Sequence, residues 1–297
     1  MTTGQPALTV LSFGGGQDST AILYLLAEDQ EARAKYAPGR LLVIMSDTGD
    51  EHQDTLEHVY RIKAYCQVRG IEFAWIRPGD GYHGKWNEGM RAYHRAHGSI
   101  GSKAFPKTCT DNLKIQPIYR YLEAWVAREY GYVAGRKAAL KAFARDHGRI
   151  RVLLGIAKGE EKRVSPPETW TPWRRLATEA GYPLLDLGLD RAACQAYIAS
   201  RGHAVPPPSN CITCHFKSPI EILWTARKLP ADFADWVALE AAKLKKWAEK
   251  GEKNLGVNGR KTLPQVLAEA EARYGHLTDA ELDEYRMSHG HCVKNAY

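Results

Sequence analysis

Residues 10–23, Val10-Leu11-Ser12-Phe13-Gly14-Gly15-Gly16-Gln17-Asp18-Ser19-Thr20-Ala21-Ile22-Leu23, place three glycines between an apolar run and a helix-compatible one. Glycine opens backbone angles closed to other residues and lets amides approach a ligand closely, and the N-terminus of a following helix offers free N–H donors to an anion. Ser12, Gly14, Gly15, Gly16, Gln17, Asp18, Ser19 and Thr20 are therefore candidate phosphate contacts, the last three in the first helical turn. A Walker A loop is excluded, because the lysine that reaches the terminal phosphates is missing. A plain glycine-rich turn is the other reading.

Three further groups could carry chemistry. Asp47 and Asp50 lie in Ser46-Asp47-Thr48-Gly49-Asp50-Glu51, and hard carboxylate oxygens suit magnesium on a triphosphate, or ribose hydroxyls; helix capping is the alternative. Lys158, Lys162 and Arg163, at the end of an apolar run, are suited to neutralising a leaving pyrophosphate, or stand as ordinary surface charge. Cys211 and Cys214 form a Cys-x-x-Cys turn, a spacing that lets two thiolates meet one metal centre. Cys66 and Cys194 fall inside amphipathic runs and read as small core residues.

For these residues to meet, the fold must bring several loops to one edge. Residues 8–13 read as a strand, 18–36 as a helix, 41–45 as a strand, 55–69 as a helix and 72–76 as a third strand. This alternation predicts an α/β fold, a Rossmann-like doubly wound parallel sheet with ligands held beyond the carboxyl ends of its strands. The glycine run and the Asp47 turn both fall at such ends. Residues 78–107 read as a long loop able to cover a site, 115–132 as a helix, 151–156 as a strand and 189–201 as a helix. Pro206-Pro207-Pro208 cannot continue that helix, which predicts a nucleotide-binding domain over 1–205 and a cysteine-containing, mainly helical region over 206–297. Trp224, Trp236 and Trp247 are expected to anchor that second region.

The chain of 297 residues has a formal charge of +7, which permits a polyanionic partner without requiring one. Positive charge gathers in Arg136, Lys137, Lys141 and Arg145, and again in Lys243, Lys245, Lys246, Lys250, Lys253, Arg260 and Lys261. Contact with nucleic acid and a solvated helix face are both open readings of these stretches. No apolar run approaches the roughly 20 residues that cross a bilayer, and the N-terminus has no secretion-signal pattern. The expectation is a cytoplasmic protein without a membrane partner, whose six cysteines are free, metal-bound or reactive.

The glycine run resembles the Ser-x-Gly-Gly-x-Asp-Ser loop of the PP-loop ATP pyrophosphatases, and segments across most of residues 8–220 resemble the phosphoadenylyl-sulfate (PAPS) reductase branch of that superfamily. Asp47-Thr48-Gly49 is similar to the branch's Asp-Thr-Gly segment, implying that Asp47 and Thr48 help hold adenosine. Gly155-Ile156-Ala157-Lys158-Gly159-Glu160-Glu161-Lys162-Arg163 is similar to its Gly-Ile-Arg-x-x-Glu-Ser-x-x-Arg segment, with the first arginine replaced. That similarity implies a cofactor contact at Gly155 and phosphate contacts from Lys158 and Arg163. Pro183-Leu184-Leu185-Asp186 is similar to Pro-Leu-x-Asp-Trp, with Leu187 where tryptophan is usual.

Cys109-Thr110-Asp111-Asn112-Leu113-Lys114-Ile115-Gln116-Pro117-Ile118 is similar to the Cys-Cys-x-x-Arg-Lys-x-x-Pro-Leu segment of the iron–sulfur members, Thr110 replacing the second cysteine. The resemblance implies a 4Fe–4S cluster on Cys109, Cys211 and Cys214, with Cys292 as the candidate fourth ligand. Zinc on the same three with Cys292 or His215 is the alternative. The implied activity is binding of ATP with Mg2+ and its cleavage to AMP and pyrophosphate, with Asp18, Lys158 and Arg163 as catalytic candidates. That would adenylate a substrate for sulfur transfer, from a sulfur donor protein, in modification of DNA or RNA. One alternative is a reductase that takes a sulfonucleotide and releases sulfite, although the C-terminal Glu-Cys-Gly-x-His motif of such reductases is not present. Another is an inactive module that binds nucleotide or nucleic acid.

Overall fold

The computed structural model describes residues 6–289. In chain order the elements are β1 (Leu8–Phe13), α1 (Gln17–Glu28), α2 (Gln30–Tyr36), β2 (Arg40–Ser46), α3 (Gln53–Val68), β3 (Glu72–Ile76), α4 (Met90–His97), a π-helical turn (Asp111–Ile115) and α5 (Gln116–Tyr130). Then follow α6 (Ala138–His147), β4 (Ile150–Leu154), α7 (Pro172–Ala177), β5 (Thr178–Gly181), α8 (Pro183–Asp186), α9 (Arg191–Ser200), α10 (Pro219–Lys228), α11 (Pro230–Ala248), α12 (Leu263–Tyr274) and α13 (Asp279–His289).

The five strands form one parallel sheet in the order β3-β2-β1-β4-β5. Strand side chains alternate between two faces, and here both faces are buried. Leu11, Phe13, Leu41, Val43 and Met45 pack against α1, α2, α3 and α9 on one side. Leu8, Val10, Leu42, Ile44, Val152 and Leu154 pack against α5 and α6 on the other. Helices on both faces of an all-parallel sheet make the doubly wound α/β architecture expected from the strand–helix alternation. From β1 the chain winds outward through β2 and β3, then crosses to β4 and winds the opposite way. The switch point therefore lies between β1 and β4, and the glycine run and Gly155 are the segments leaving those two strands.

The C-terminal helices α10 to α13 share their own core. Trp236 is fully buried with Ile222 and Leu263, and Trp224 packs with Leu223 and Leu282. Ser218 begins α10 with a capping box in which its hydroxyl and amide both donate to Glu221. No helix among the described residues is long and apolar enough to cross a membrane.

Three expectations differ from the structure. The helix expected over 18–36 is two, because Asp29 leaves helical angles and its carboxylate accepts from Ala32 N at 2.9 Å to start α2. The segment 78–107 is not one loop but contains α4, held by stacking of Tyr93 on Trp86 at 3.6 Å and by Arg91 ion pairs to Asp50 and Asp232. The strand expected over 151–156 is Ile150–Leu154, and an edge strand, β5, follows it.

Candidate functional site

A solvent-open cleft of about 800 Å3 lies at the switch point, walled by the glycine run, the Gly155 turn and the start of α5. Gly16 is the N-cap of α1 and no side chain caps the helix, so its first amides and positive dipole end face the cleft. The loop is held by Ser19, whose Oγ accepts from Gly14 N at 3.1 Å and donates to Gly16 O at 3.2 Å. Gly15 has φ +74°, in the left-handed region.

Two glycines are needed for a different reason, close approach. A Cβ on Gly155 would stand 3.1 Å from Ser19 N and 3.2 Å from Asp18 Cβ, pressing on the helix start. A Cβ on Gly16 would stand 2.8 Å from Ser209 Oγ and 2.9 Å from Ser209 N. Gly16→Ala must therefore push away the segment that leads into Cys211. The expected result is at least about a tenfold loss of nucleotide affinity, set by displaced amides each worth about 1 kcal/mol, measured by calorimetric titration. Wild-type affinity in a folded Gly16→Ala variant would show that these amides do not bind the ligand.

Four charges meet in the cleft. Glu160 ion-pairs with both Arg163 and Arg191, and Arg191 Nη2 also lies 3.7 Å from Asp18 Oδ2. Asp18 Oδ1 is buried and has no hydrogen-bond partner. Burial pushes the Asp18 carboxyl up to about 6 against the pull of Arg191, and Glu160 adds to the rise. Two guanidiniums set around Glu160 and Asp18 suit an incoming phosphate group.

The other expected contacts divide. Ser12, Gly14 and Ser19 line the cleft with Arg163, whereas Lys158 is exposed on an adjoining outer rim. Gln17 borders the cleft, but its amide is engaged by Pro206 O at 3.0 Å, Met287 O at 3.3 Å and Gln195 Nε2 at 2.9 Å. Thr20 Oγ1 lies in the core, 2.9 Å from His58 Nε2. Asp47 accepts from Gly49 N at 2.8 Å and is raised to about 6 by burial and by Glu51. Asp50 caps no helix; it is buried, paired with Arg91, and accepts from Thr213 N and Oγ1 at 2.8 and 2.7 Å.

Cys109, Cys211 and Cys214 line one small cavity, with Thr48, Lys114 and His215. Glu51 and Cys211 form a backbone bridge and Ile212 N donates to Asp50 O at 2.8 Å, fastening the Cys-x-x-Cys turn to the end of β2. Burial pushes the Cys211 thiol well above its ordinary range. No disulfide joins the five described cysteines. Among the described residues no three His, Cys, Asp or Glu side chains converge to hold a metal ion, and three thiols around one cavity are ligands that both zinc and an iron–sulfur cluster accept. Cys292 lies outside the described residues. Cys66 and Cys194 are buried in helices and raised to about 12 by burial, consistent with core packing.

No family model matches this chain, and no curated protein matches it. Among solved structures it is similar to the U34-tRNA thiolase NcsA from Methanococcus maripaludis with its [4Fe-4S] cluster, at 12% identity over 92% of this chain and 74% of that one, TM-score 0.39. It is also similar to the NH3-dependent NAD synthetase from Campylobacter jejuni in complex with the nitrate ion, at 16% identity over 84% of this chain and 89% of that one, TM-score 0.31. Likenesses of that degree carry no argument about chemistry, which rests on the geometry above.

Three residues of that geometry were not singled out from the sequence. Arg191 opens α9 and Ser209 follows the three prolines, and neither has a local signal. Lys114 lines both the cleft and the cysteine cavity, and its Nζ lies 3.5 Å from Glu51 Oε1. Its signal was available, since a lysine stands at that place in the iron–sulfur segment that Cys109–Ile118 resembles.

Proposed function

We propose that this chain is a PP-loop enzyme that binds ATP in the switch-point cleft, splits it to AMP and pyrophosphate, and so adenylates a nucleic-acid acceptor for sulfur transfer. The observation that carries this reading is the pairing of two sites on one wall. An uncapped helix N-terminus and two arginines face a solvent-open cleft, and Lys114 lines both that cleft and a cavity bordered by three cysteines. Residues 1–205 would form the nucleotide domain, and 206–297 the region that brings Cys211 and Cys214 to it.

In the step proposed, an oxygen of the acceptor attacks the α-phosphorus and the bond to the pyrophosphate oxygen breaks. A sulfur nucleophile from a donor then displaces AMP from the adenylated acceptor. The α1 amides orient the phosphates, and Arg163 and Arg191 exchange Glu160 for the charge that develops on pyrophosphate. Asp18, with its partnerless buried oxygen, fits a hard cation; Mg2+ held there would supply further charge neutralisation. Cys109, Cys211 and Cys214 would hold an iron–sulfur cluster, which when bound supplies a site for sulfide.

Product analysis tests the reading. Anaerobically purified protein given ATP and Mg2+ is expected to release AMP and pyrophosphate in equal amounts, faster with nucleic acid present. Sulfite from phosphoadenylyl sulfate and a thiol reductant, without AMP from ATP, would overturn it in favour of a reductase. Neither product, with nucleotide bound, would make the chain a binding module.

A further inference from the structure

We infer that the face built by α6 and α7 is the docking surface for the phosphodiester backbone of the acceptor, which rests on the nucleic-acid part of the function proposed above. Segments 136–147 and 162–176 carry eight Lys and Arg against two acidic residues, Asp146 and Glu168. That difference of six is most of the chain's formal +7. The two segments are far apart in sequence, yet α6 packs on α7. Both reach Tyr119, the neighbour in sequence of the cleft residue Ile118: Lys137, at the start of α6, donates to its carbonyl at 2.9 Å and Trp173 of α7 meets its ring edge-on at 5.1 Å.

Arg136, Lys141 and Arg175 are exposed on this face. Arg174 lies over the Trp170 ring at 4.1 Å, its guanidinium held in place by stacking. The backbone entering α6 is strained: Arg136 and Lys137 have φ +50° and +62°, the two non-glycine residues in the left-handed region among those described. Such a conformation is disfavoured for residues that carry a side chain. It persists because Lys137 Nζ donates to Tyr119 O at 2.9 Å and Glu123 accepts from Gly135 N at 3.1 Å.

The lysine-rich C-terminal helices are the competing surface, and some of their cations are engaged, as Lys137 with Glu123 and Arg145 with Asp146 are on the α6–α7 face. Lys243 donates to Leu255 O at 2.8 Å and Lys246 to His97 O at 2.6 Å, while Lys261 pairs with Glu269 at 2.7 Å. The α6–α7 face presents cations, with its tryptophans turned inward or half-buried. Contacts of this kind fix the position of a nucleic acid and do not read its bases.

The test compares Arg136→Glu/Lys141→Glu/Arg175→Glu with Lys250→Glu/Lys253→Glu/Arg260→Glu. Binding of a fluorescent RNA hairpin and of a DNA duplex is measured by anisotropy across salt concentrations, and melting curves confirm that each variant folds. The first variant is expected to lose at least about tenfold in affinity, with a salt slope shallower by about two to three, as three phosphate contacts at about 0.7–0.9 each require. Its AMP formation from ATP without nucleic acid should be unchanged. A stronger response to RNA or to DNA supports the surface and identifies which backbone it takes. Wild-type affinity in the first variant, a loss confined to the second, or binding to phosphatidylserine vesicles but to neither nucleic acid overturns the inference. Loss of binding in the first variant alongside no AMP from wild-type protein would leave the surface standing and remove the ATP reaction.

Discussion

Asp18→Asn is expected to abolish AMP formation, by at least about a hundredfold, and at the same time to make the protein more stable at pH 8. The two effects have one cause. The Asp18 carboxyl is raised to about 6 from an ordinary 3.8, because burial and Glu160 outweigh Arg191. A carboxyl whose folded value lies above its unfolded value binds a proton more tightly in the fold, so ionisation works against folding. The penalty is fully present above pH 6 and is relieved as pH falls from about 6 towards about 4. At about 1.4 kcal/mol per unit, two units give at most roughly 3 kcal/mol. Asparagine has the same shape and does not ionise, so the variant should melt higher than wild type at pH 8 and lose that advantage as pH falls through 6. Thermal melts at a series of pH values, with AMP assayed in parallel, read both effects. A stabilised, inactive variant would mark Asp18 as a carboxylate kept charged for function. A variant less stable at pH 8 that still makes AMP would make it an ordinary structural residue.

The scaffold was legible where local pattern and tertiary demand agree. β1 and β3 have the bounds that apolar runs and turn residues predict, and the glycines sit where close approach requires them. What escaped depends on partners far along the chain. Met90–His97 is only eight residues long and poor in apolar side chains, and its anchors are Trp86 on one side and Asp50, Asp232 and Asp235 on the other. β5 is four residues at the sheet edge, too short and too polar to announce itself. Residue type did not separate Ser19, which braces the loop, from Thr20, whose hydroxyl meets His58 one position away. The direction of a side chain on α1 decides between them, and that is set by the sheet it packs on.

The cysteines illustrate the same division. Cys-x-x-Cys spacing predicts that two thiols lie together, but nothing local says that Cys109 joins them in one cavity. Cys109 and Cys211 meet on the Trp86, Met90 and Leu113 cluster, and the turn itself is fastened by Asp50, whose side chain is wholly buried. It accepts two hydrogen bonds from Thr213, between the two cysteines of the turn, and pairs with Arg91 of α4, which in turn reaches Asp232 of α11 at 2.6 Å. One carboxylate thus ties the end of β2, the segment over the cavity and the C-terminal helices together.

Asp50→Ala is accordingly expected to cost about 3–5 kcal/mol of folding stability, the range for removing one partner of a buried ion pair. It removes the fully buried partner of Arg91, which keeps Asp232 and Asp235, and leaves two unsatisfied donors on Thr213. Asp50→Asn keeps the volume and one acceptor oxygen, so its loss should be smaller; denaturant titration of the two variants measures the difference. A second reading separates this link from general weakening. With Thr213 released, Cys211 and Cys214 should react with iodoacetamide at least about tenfold faster under native conditions, since local opening governs access to a buried thiol, while Cys66 and Cys194, buried in helices of the sheet domain, keep their rates. Equal acceleration at all four would mean that the variant merely unfolds more often. Acceleration confined to the turn would mean that Asp50 holds the cysteine cavity closed against the parallel sheet, which makes the geometry between cavity and cleft a property of one buried charge.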